Sequence, residues 1–173
     1  MTNRLDRAAV REALEAQPSA LCGVLVMVSV GGEQALFIRL GADGGIHRLG
    51  VGSLDTGERE RFIGTTTPET FERVRAKVTP ELLKWCGQGG SDPYPRGEVC
   101  ELVVALKQPD GEESMMCWRY GLDSQWPPPE VCEFVAAAVE ATDPWYEEQK
   151  DAVRRRSQQD SYAWWQFFAL PHA

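Results

Sequence analysis

The 173-residue chain has 43% hydrophobic and 25% charged residues, a composition typical of a folded domain. Its net charge of −8 and pI near 4.8 argue against a nucleic-acid-binding protein, because phosphate binding requires clustered lysine and arginine. At this length we expect a single domain, residues 1–173, that ends in an aromatic C-terminal tail, residues 161–173.

The first part of the chain predicts a helix followed by antiparallel strands. Residues 3–17 repeat alanine and leucine at helical spacing, and Pro18 ends this pattern. The apolar runs at 21–30, 35–40 and 46–52 are separated by glycine-rich turns and predict a three-stranded meander. Residues 61–65, RFIGT, predict a fourth short strand.

Proline and glycine organise the middle of the chain. Thr67–Pro68 and Thr79–Pro80 each place a capping residue before a proline and predict two consecutive helices. Residues 87–97, GQGGSDPYPRG, predict a long loop without regular structure. The sequence PDGE at 109–112 then predicts the turn of a central β-hairpin.

Pairing of this hairpin about Asp110–Gly111 would place two apolar sets on opposite faces, so we expect both faces to be covered. One set is Cys100, Leu102, Val104, Leu106, Met115 and Cys117, and the other is Val99, Val103, Ala105, Met116, Trp118 and Tyr120.

The last part of the chain predicts two helices. The prolines at 127–129 lead into an apolar helical stripe, and Asp143–Pro144 predicts the start of a separate final helix. The predicted fold is therefore α+β, with a mostly antiparallel sheet of about five strands, formed by the meander and the central hairpin, and helices packed on it.

The sequence lacks the residue patterns of metal sites, nucleophilic catalysis and phosphate binding. His47 and His172 are the only histidines, and His47 is interpreted as a sheet-surface residue with Arg48 on the opposite face. No nucleophile motif and no phosphate-binding glycine loop is present. We therefore expect no cofactor and no bound metal, assign no catalytic residues, and favour a non-catalytic protein over an enzyme.

The cysteines favour a reducing compartment. Five cysteines cannot all pair with one another, no CxxC motif occurs, and four of them, Cys22, Cys100, Cys117 and Cys132, have apolar neighbours. The apolar run at 21–30 is too short to span a bilayer, and acidic residues precede it. We expect a cytoplasmic protein that does not associate with membranes.

The loop at residues 87–97, between the two predicted middle helices and the hairpin, is the best candidate for a site. Binding groups concentrate on loops that a scaffold holds near solvent. The candidate binding residues are Trp85, Asp92, Tyr94, Arg96, Glu98 and Trp126. A connection of this kind also forms without any function, since Asp-Pro and Tyr-Pro are common in turns.

Two functions remain open. The first is a non-catalytic protein-binding domain, an inhibitor or immunity-type partner of a basic protein, since complementary charge speeds association. The second is a small-molecule binder or enzyme with a pocket at the 87–97 loop. For the aromatic tail we expect burial against protein, within the chain or across a homodimer, because five aromatic side chains lie between residues 162 and 168 without Lys or Arg.

Overall fold

Residues 21–53, 59–125 and 127–168 are described by a computed structural model, and from residue 159 onward the description covers the backbone alone. The helix predicted at residues 3–17 and Trp126 lie outside the described residues. The strands are β1 (Gly23–Val30), β2 (Glu33–Gly41), β3 (Gly45–Leu49), β4 (Arg61–Thr65), β5 (Gly89–Ser91), β6 (Val99–Lys107) and β7 (Glu113–Gly121). The helices are α1 (Pro68–Arg75), α2 (Pro80–Leu83) and α3 (Pro129–Phe168).

The fold is α+β, and its sheet is larger than predicted. The described strands form one seven-stranded mixed sheet in the order β4-β3-β2-β1-β6-β7-β5, where we expected about five antiparallel strands. The meander, the short strand at 61–65 and the hairpin are confirmed, and β1 pairs with β6 to join the two groups. The additional strand is β5, which runs parallel to β7.

Strand β5 lies inside the segment that we predicted to be irregular. Its glycine content reflects a close approach of two backbones, because a Cβ atom on Gly89 would stand 2.0 Å from the carbonyl oxygen of Cys117. The glycines that suggested a loop are therefore what allows this edge strand to pair.

The two faces of the sheet differ. The covered face contributes the main core, in which alternate residues of the strands such as Val26, Ile38, Val104 and Met116 are completely or almost completely buried. Residues of α1, α2 and α3, including Phe71, Leu82 and Phe134, complete this core. We call the opposite side the open face, because no helix among the described residues packs on it.

The hairpin register differs by one residue from the predicted register, and this changes which side chains share a face. Val104 lies opposite Met116 and Leu102 opposite Trp118, so these residues share the covered face. The cause is a loop one residue longer than predicted: Gln108 donates its N–H to the Glu112 carbonyl at 2.8 Å, and Gly111 adopts a φ of 89°. Val103, Met115 and Cys117 consequently lie on the open face, and the hairpin is not covered on both sides by described elements.

The end of the chain also differs from the prediction. Residues 129–168 form one 40-residue helix with Pro144 inside it, not two helices separated at Asp143–Pro144. Proline removes one helical hydrogen bond, to the carbonyl of the exposed Glu140, and tertiary contacts of the next turn hold the helix across this point. Trp145 Nε1 donates to the Thr65 carbonyl at 3.0 Å, and the Tyr146 hydroxyl donates to the Glu60 carbonyl at 2.9 Å.

Candidate functional site

Trp85, one of the candidate binding residues, packs against the main core. It lies just after α2, is half-buried, and packs against the main core with its ring 6.3 Å from the ring of Trp118. The edge-to-face arrangement of the two rings is the favoured one for aromatic pairs. This contact gives Trp85 a structural role.

The segment after β5 brings Asp92, Tyr94 and Arg96 together. Asp92 accepts hydrogen bonds from the Ser124 hydroxyl at 2.6 Å and from the backbone N–H of Tyr94 at 2.8 Å. These two bonds, with a smaller contribution from the nearby Arg96 charge, hold the pKa of Asp92 below its usual value. The Tyr94 side chain is 85% exposed.

Backbone hydrogen bonds fix the rest of this loop against the residues after β7. Asp123 donates to the carbonyl of Arg96 at 3.0 Å, and Leu122 donates to the carbonyl of Glu98 at 2.8 Å. The Glu98 carboxylate lies at the β1–β2 turn, where it would collide with a Cβ atom on Gly31. The loop is thus an ordered connection, in which Trp85 faces the core and Glu98 faces a different turn from Asp92.

A groove lies on the open face of the sheet. It has a volume of about 690 Å³ and lies over the ends of β1, β2 and β3, beside the start of β7. That volume falls within the range of small-molecule sites. The described side chains that line it include Leu25, Arg39, Asp43, His47, Ile63, Ala105, Lys107 and Glu113.

Three glycines form the floor of the groove. Gly23 and Gly41 are cross-strand partners on β1 and β2, and Gly45 begins β3. The Asp43 carboxylate lies over Gly41 and Gly45, where it accepts the Gly45 N–H at 2.9 Å, and the Lys107 side chain lies over Gly23. The absence of Cβ atoms at these positions therefore leaves room for charged side chains above the sheet.

One wall of the groove is cationic. Arg39 lies between Leu25 and His47 across the strands, so it has no acidic neighbour in either direction. Burial lowers the pKa of His47, and the positive charges of Arg61 and of Arg39, the cross-strand neighbour of His47, lower it further. Nε2 of His47 is buried without a hydrogen-bond partner among the described residues. As predicted, His47 lies on the sheet surface and Arg48 on the opposite face.

A buried polar cluster joins β3 to α3 on the covered face. Arg48 is fully buried, donates to the Thr142 hydroxyl and to the Gly50 carbonyl, and forms an ion pair with Asp143 at 2.7 Å. Burial lowers the pKa of this arginine, and the charge and hydrogen bond of Asp143 oppose that effect.

Tyr146 extends this cluster toward the segment before β4. Its hydroxyl donates to the Glu60 carbonyl and accepts the Gly50 N–H at 3.1 Å, while Arg48 and Lys150 lie 5.2 and 5.3 Å from its ring centre. Lys150 is itself almost fully buried and pairs with Glu147 at 2.7 Å. Each polar group named here has a partner, so the cluster holds α3 against β3 and against the segment before β4.

Metal binding, cysteine accessibility and membrane-spanning helices are the other features of the described part of the chain that bear on function. Its residues contain no group of three or more His, Cys, Asp or Glu placed to bind a metal. Of the four cysteines with apolar sequence neighbours, Cys100 is buried and Cys22 is half-buried, whereas Cys117 and Cys132 are exposed. Cys117 is exposed because of the hairpin register described above. Within the same residues, no helix is both long and apolar enough to cross a bilayer.

Sequence reasoning missed the groove because its residues come from distant strands. A signal for it was nonetheless present in the sequence: the alternation in ALFIRL and IHRL puts Arg39 and His47 on the side opposite the core.

Comparison of the chain with protein-family models, curated proteins and solved structures found no match.

Proposed function

We propose that this chain is a non-catalytic binding domain that recognises a protein partner with the open face of its sheet. The observation that supports this proposal is the character of that face, on which exposed and half-buried apolar side chains lie beside charged ones. Its apolar members are the half-buried Leu25, Met27, Phe37 and Val103 and the exposed Ile63 and Met115. An exposed apolar surface rimmed by polar residues is typical of a protein interface.

The charge of the whole chain indicates the class of partner. A net charge of −8 attracts a basic protein over several ångströms and raises the rate of association, as in inhibitor or immunity-type pairs. Rings and aliphatic chains at the centre of the face would then supply the short-range contacts.

Affinity capture from the extract of the source cells, followed by mass spectrometry, tests this function with two matched variants. Met115→Asp changes a 47% exposed side chain on the open face, and Val153→Asp changes a 43% exposed side chain on α3. We expect one captured protein to be retained by the wild type and by Val153→Asp and lost with Met115→Asp. Equal capture by both variants would place the interface elsewhere, and capture of nothing by the wild type would contradict a protein partner.

The groove supports a second candidate function, the binding of a small molecule. Its volume of about 690 Å³ and its mixture of apolar and charged walls fit such a ligand. This candidate differs from the sequence-based alternative in position, because the groove lies at the β2–β3 turn and not at the 87–97 loop. Chemical-shift mapping with small probes distinguishes it from the first candidate.

A further inference from the structure

We propose that the groove binds a small organic anion, with its charged group at Arg39 and Lys107 and its apolar body against Leu25, Ile63 and Ala105. The proposal rests on the second candidate function, small-molecule binding in the groove, and adds the chemical class of the ligand.

The first argument is the unbalanced positive charge of one wall. Arg39 has no ion-pair partner among the described residues, and its cross-strand neighbours are Leu25 and His47. Of the arginines whose charge acts on His47, Arg39 lines the groove, whereas Arg61 on β4 bonds to the Gln34 side chain. A guanidinium presents parallel N–H donors that match a carboxylate or phosphate.

The second argument is the position of Lys107 beside the glycine floor. Its side chain extends over Gly23, and its only charged cross-strand neighbour among the described strands is the exposed Glu113 at the rim. Lys107 is the cross-strand neighbour of Gly23, and Arg39 lies two residues before Gly41 on the same face of β2, so an anion between them would be within reach of both.

The two carboxylates of the groove limit the charge of the ligand. Asp43 is turned toward its own turn, where it accepts the Gly45 N–H, and Glu113 stands at the far rim. Their negative charges oppose a polyanion, since like charges at close range are repelled. A monoanion with a flat apolar body fits the remaining surface, which Leu25, Ile63 and Ala105 supply.

The test uses three ring-matched probes that differ in charge: benzoate, benzamide and benzamidine. Each is titrated into the full chain, and the amide shifts of Gly23, Gly41 and Gly45 are followed by NMR. We expect saturable shifts with benzoate only. Arg39→Met and Lys107→Met should each weaken benzoate binding about tenfold, because each removes one charge-assisted contact. Arg119→Met is the control, since Arg119 lies on the same face but pairs with Glu101 and does not line the groove.

Salt gives a measurement that needs no variant. Benzoate binding should weaken as sodium chloride is raised, whereas binding driven by apolar contacts with Leu25, Ile63 and Ala105 should not. Equal binding of benzoate and benzamide, insensitive to Arg39→Met, would overturn the anion proposal and leave small-molecule binding intact. Tighter binding of benzamidine would overturn it in favour of Asp43 and Glu113. No shift with any probe would overturn both the proposal and the groove as a ligand site.

Discussion

Arg48 shows how one residue can decide the joining of two distant elements. It is fully buried on β3, and its charge is balanced among the described residues by Asp143 on α3, whose side chain is 47% exposed. Removing water from a guanidinium is costly, and that cost is offset when every donor finds an acceptor. The cluster around Arg48 therefore fixes the position of α3 against β3 more than it adds net stability.

A double-mutant cycle tests this role. Asp143→Ala should reduce the free energy of unfolding by about 2 kcal/mol, because it leaves a buried guanidinium without its anion, and the value is below that of a fully buried pair since Asp143 is half-exposed. Arg48→Met with Asp143→Ala should be less destabilising than the sum of the two single changes by about 1–2 kcal/mol. Urea unfolding measures each variant.

The exposed pair Arg119 and Glu101 provides the control for that cycle. Their atoms lie 3.6 Å apart at more than half-exposed side chains, so their coupling should stay under about 1 kcal/mol. Additive effects at Arg48 and Asp143, like those of the exposed pair, would show that the buried ion pair does not couple β3 to α3.

At the scale of elements, the register of the β6–β7 hairpin determines which side chains are buried. Val104 has no exposed area on the covered face, and Val103 is half-buried on the open face. Val104→Asp should cost several kcal/mol, because it places an unpaired charge in the core. Val103→Asp, one residue away, should cost no more than about 1 kcal/mol, since its carboxylate reaches water.

Thermal melts of the two variants measure this difference. Similar losses for both would mean that the open face is covered as fully as the other, and the original two-sided interpretation of the hairpin would return. A shift of only a degree or two for Val104→Asp would contradict the register itself.

Helix α3 shows why local signals can mislead about element boundaries. Pro144 is a sound signal for a helix start, but the residues around it bond to β3, to β4 and to the segment before β4. Side chains 151–158 are all exposed, so the described helix leaves the core after Lys150. At about 1.5 Å per residue, the 40-residue helix is about 60 Å long.

For the whole molecule, the tail prediction can be tested by truncation. The side chains of residues 159–173 lie outside the description, so burial of the aromatic tail stays a prediction. Deletion after Asp160 should lower the melting temperature or dissociate a dimer, because it removes five aromatic side chains that would each bury on the order of 150 Å² and exposes the apolar surface they cover. Sedimentation and melting measure the two effects.

A shorter deletion, after Phe168, is the matched control for the tail and should leave mass and stability unchanged. If the longer deletion also leaves both unchanged and instead abolishes binding to liposomes, the tail is a membrane anchor and the prediction of burial is wrong.

The sequence alone determined the local elements of this protein, because their signals are short-range. Glycine turns separated the meander strands, threonine–proline pairs marked α1 and α2, and the PDGE turn identified the hairpin. The α+β class followed from the order of these elements. His47 and Arg48 were assigned to opposite faces by the alternation of a strand.

Only the tertiary structure decided the contacts between distant residues. Pairing of β1 with β6 and of β5 with β7 depends on backbones that meet across long sequence separations, and Gly89 carries no local signal of its approach to Cys117. One additional residue in the hairpin loop determined which side chains of β7 lie on the covered face and which on the open face. The packing of Tyr146 against the segment before β4 stabilises α3 as a continuous helix across Pro144. The groove arose in the same way, since Arg39, His47 and Lys107 come from three strands that become neighbours only when the sheet is assembled.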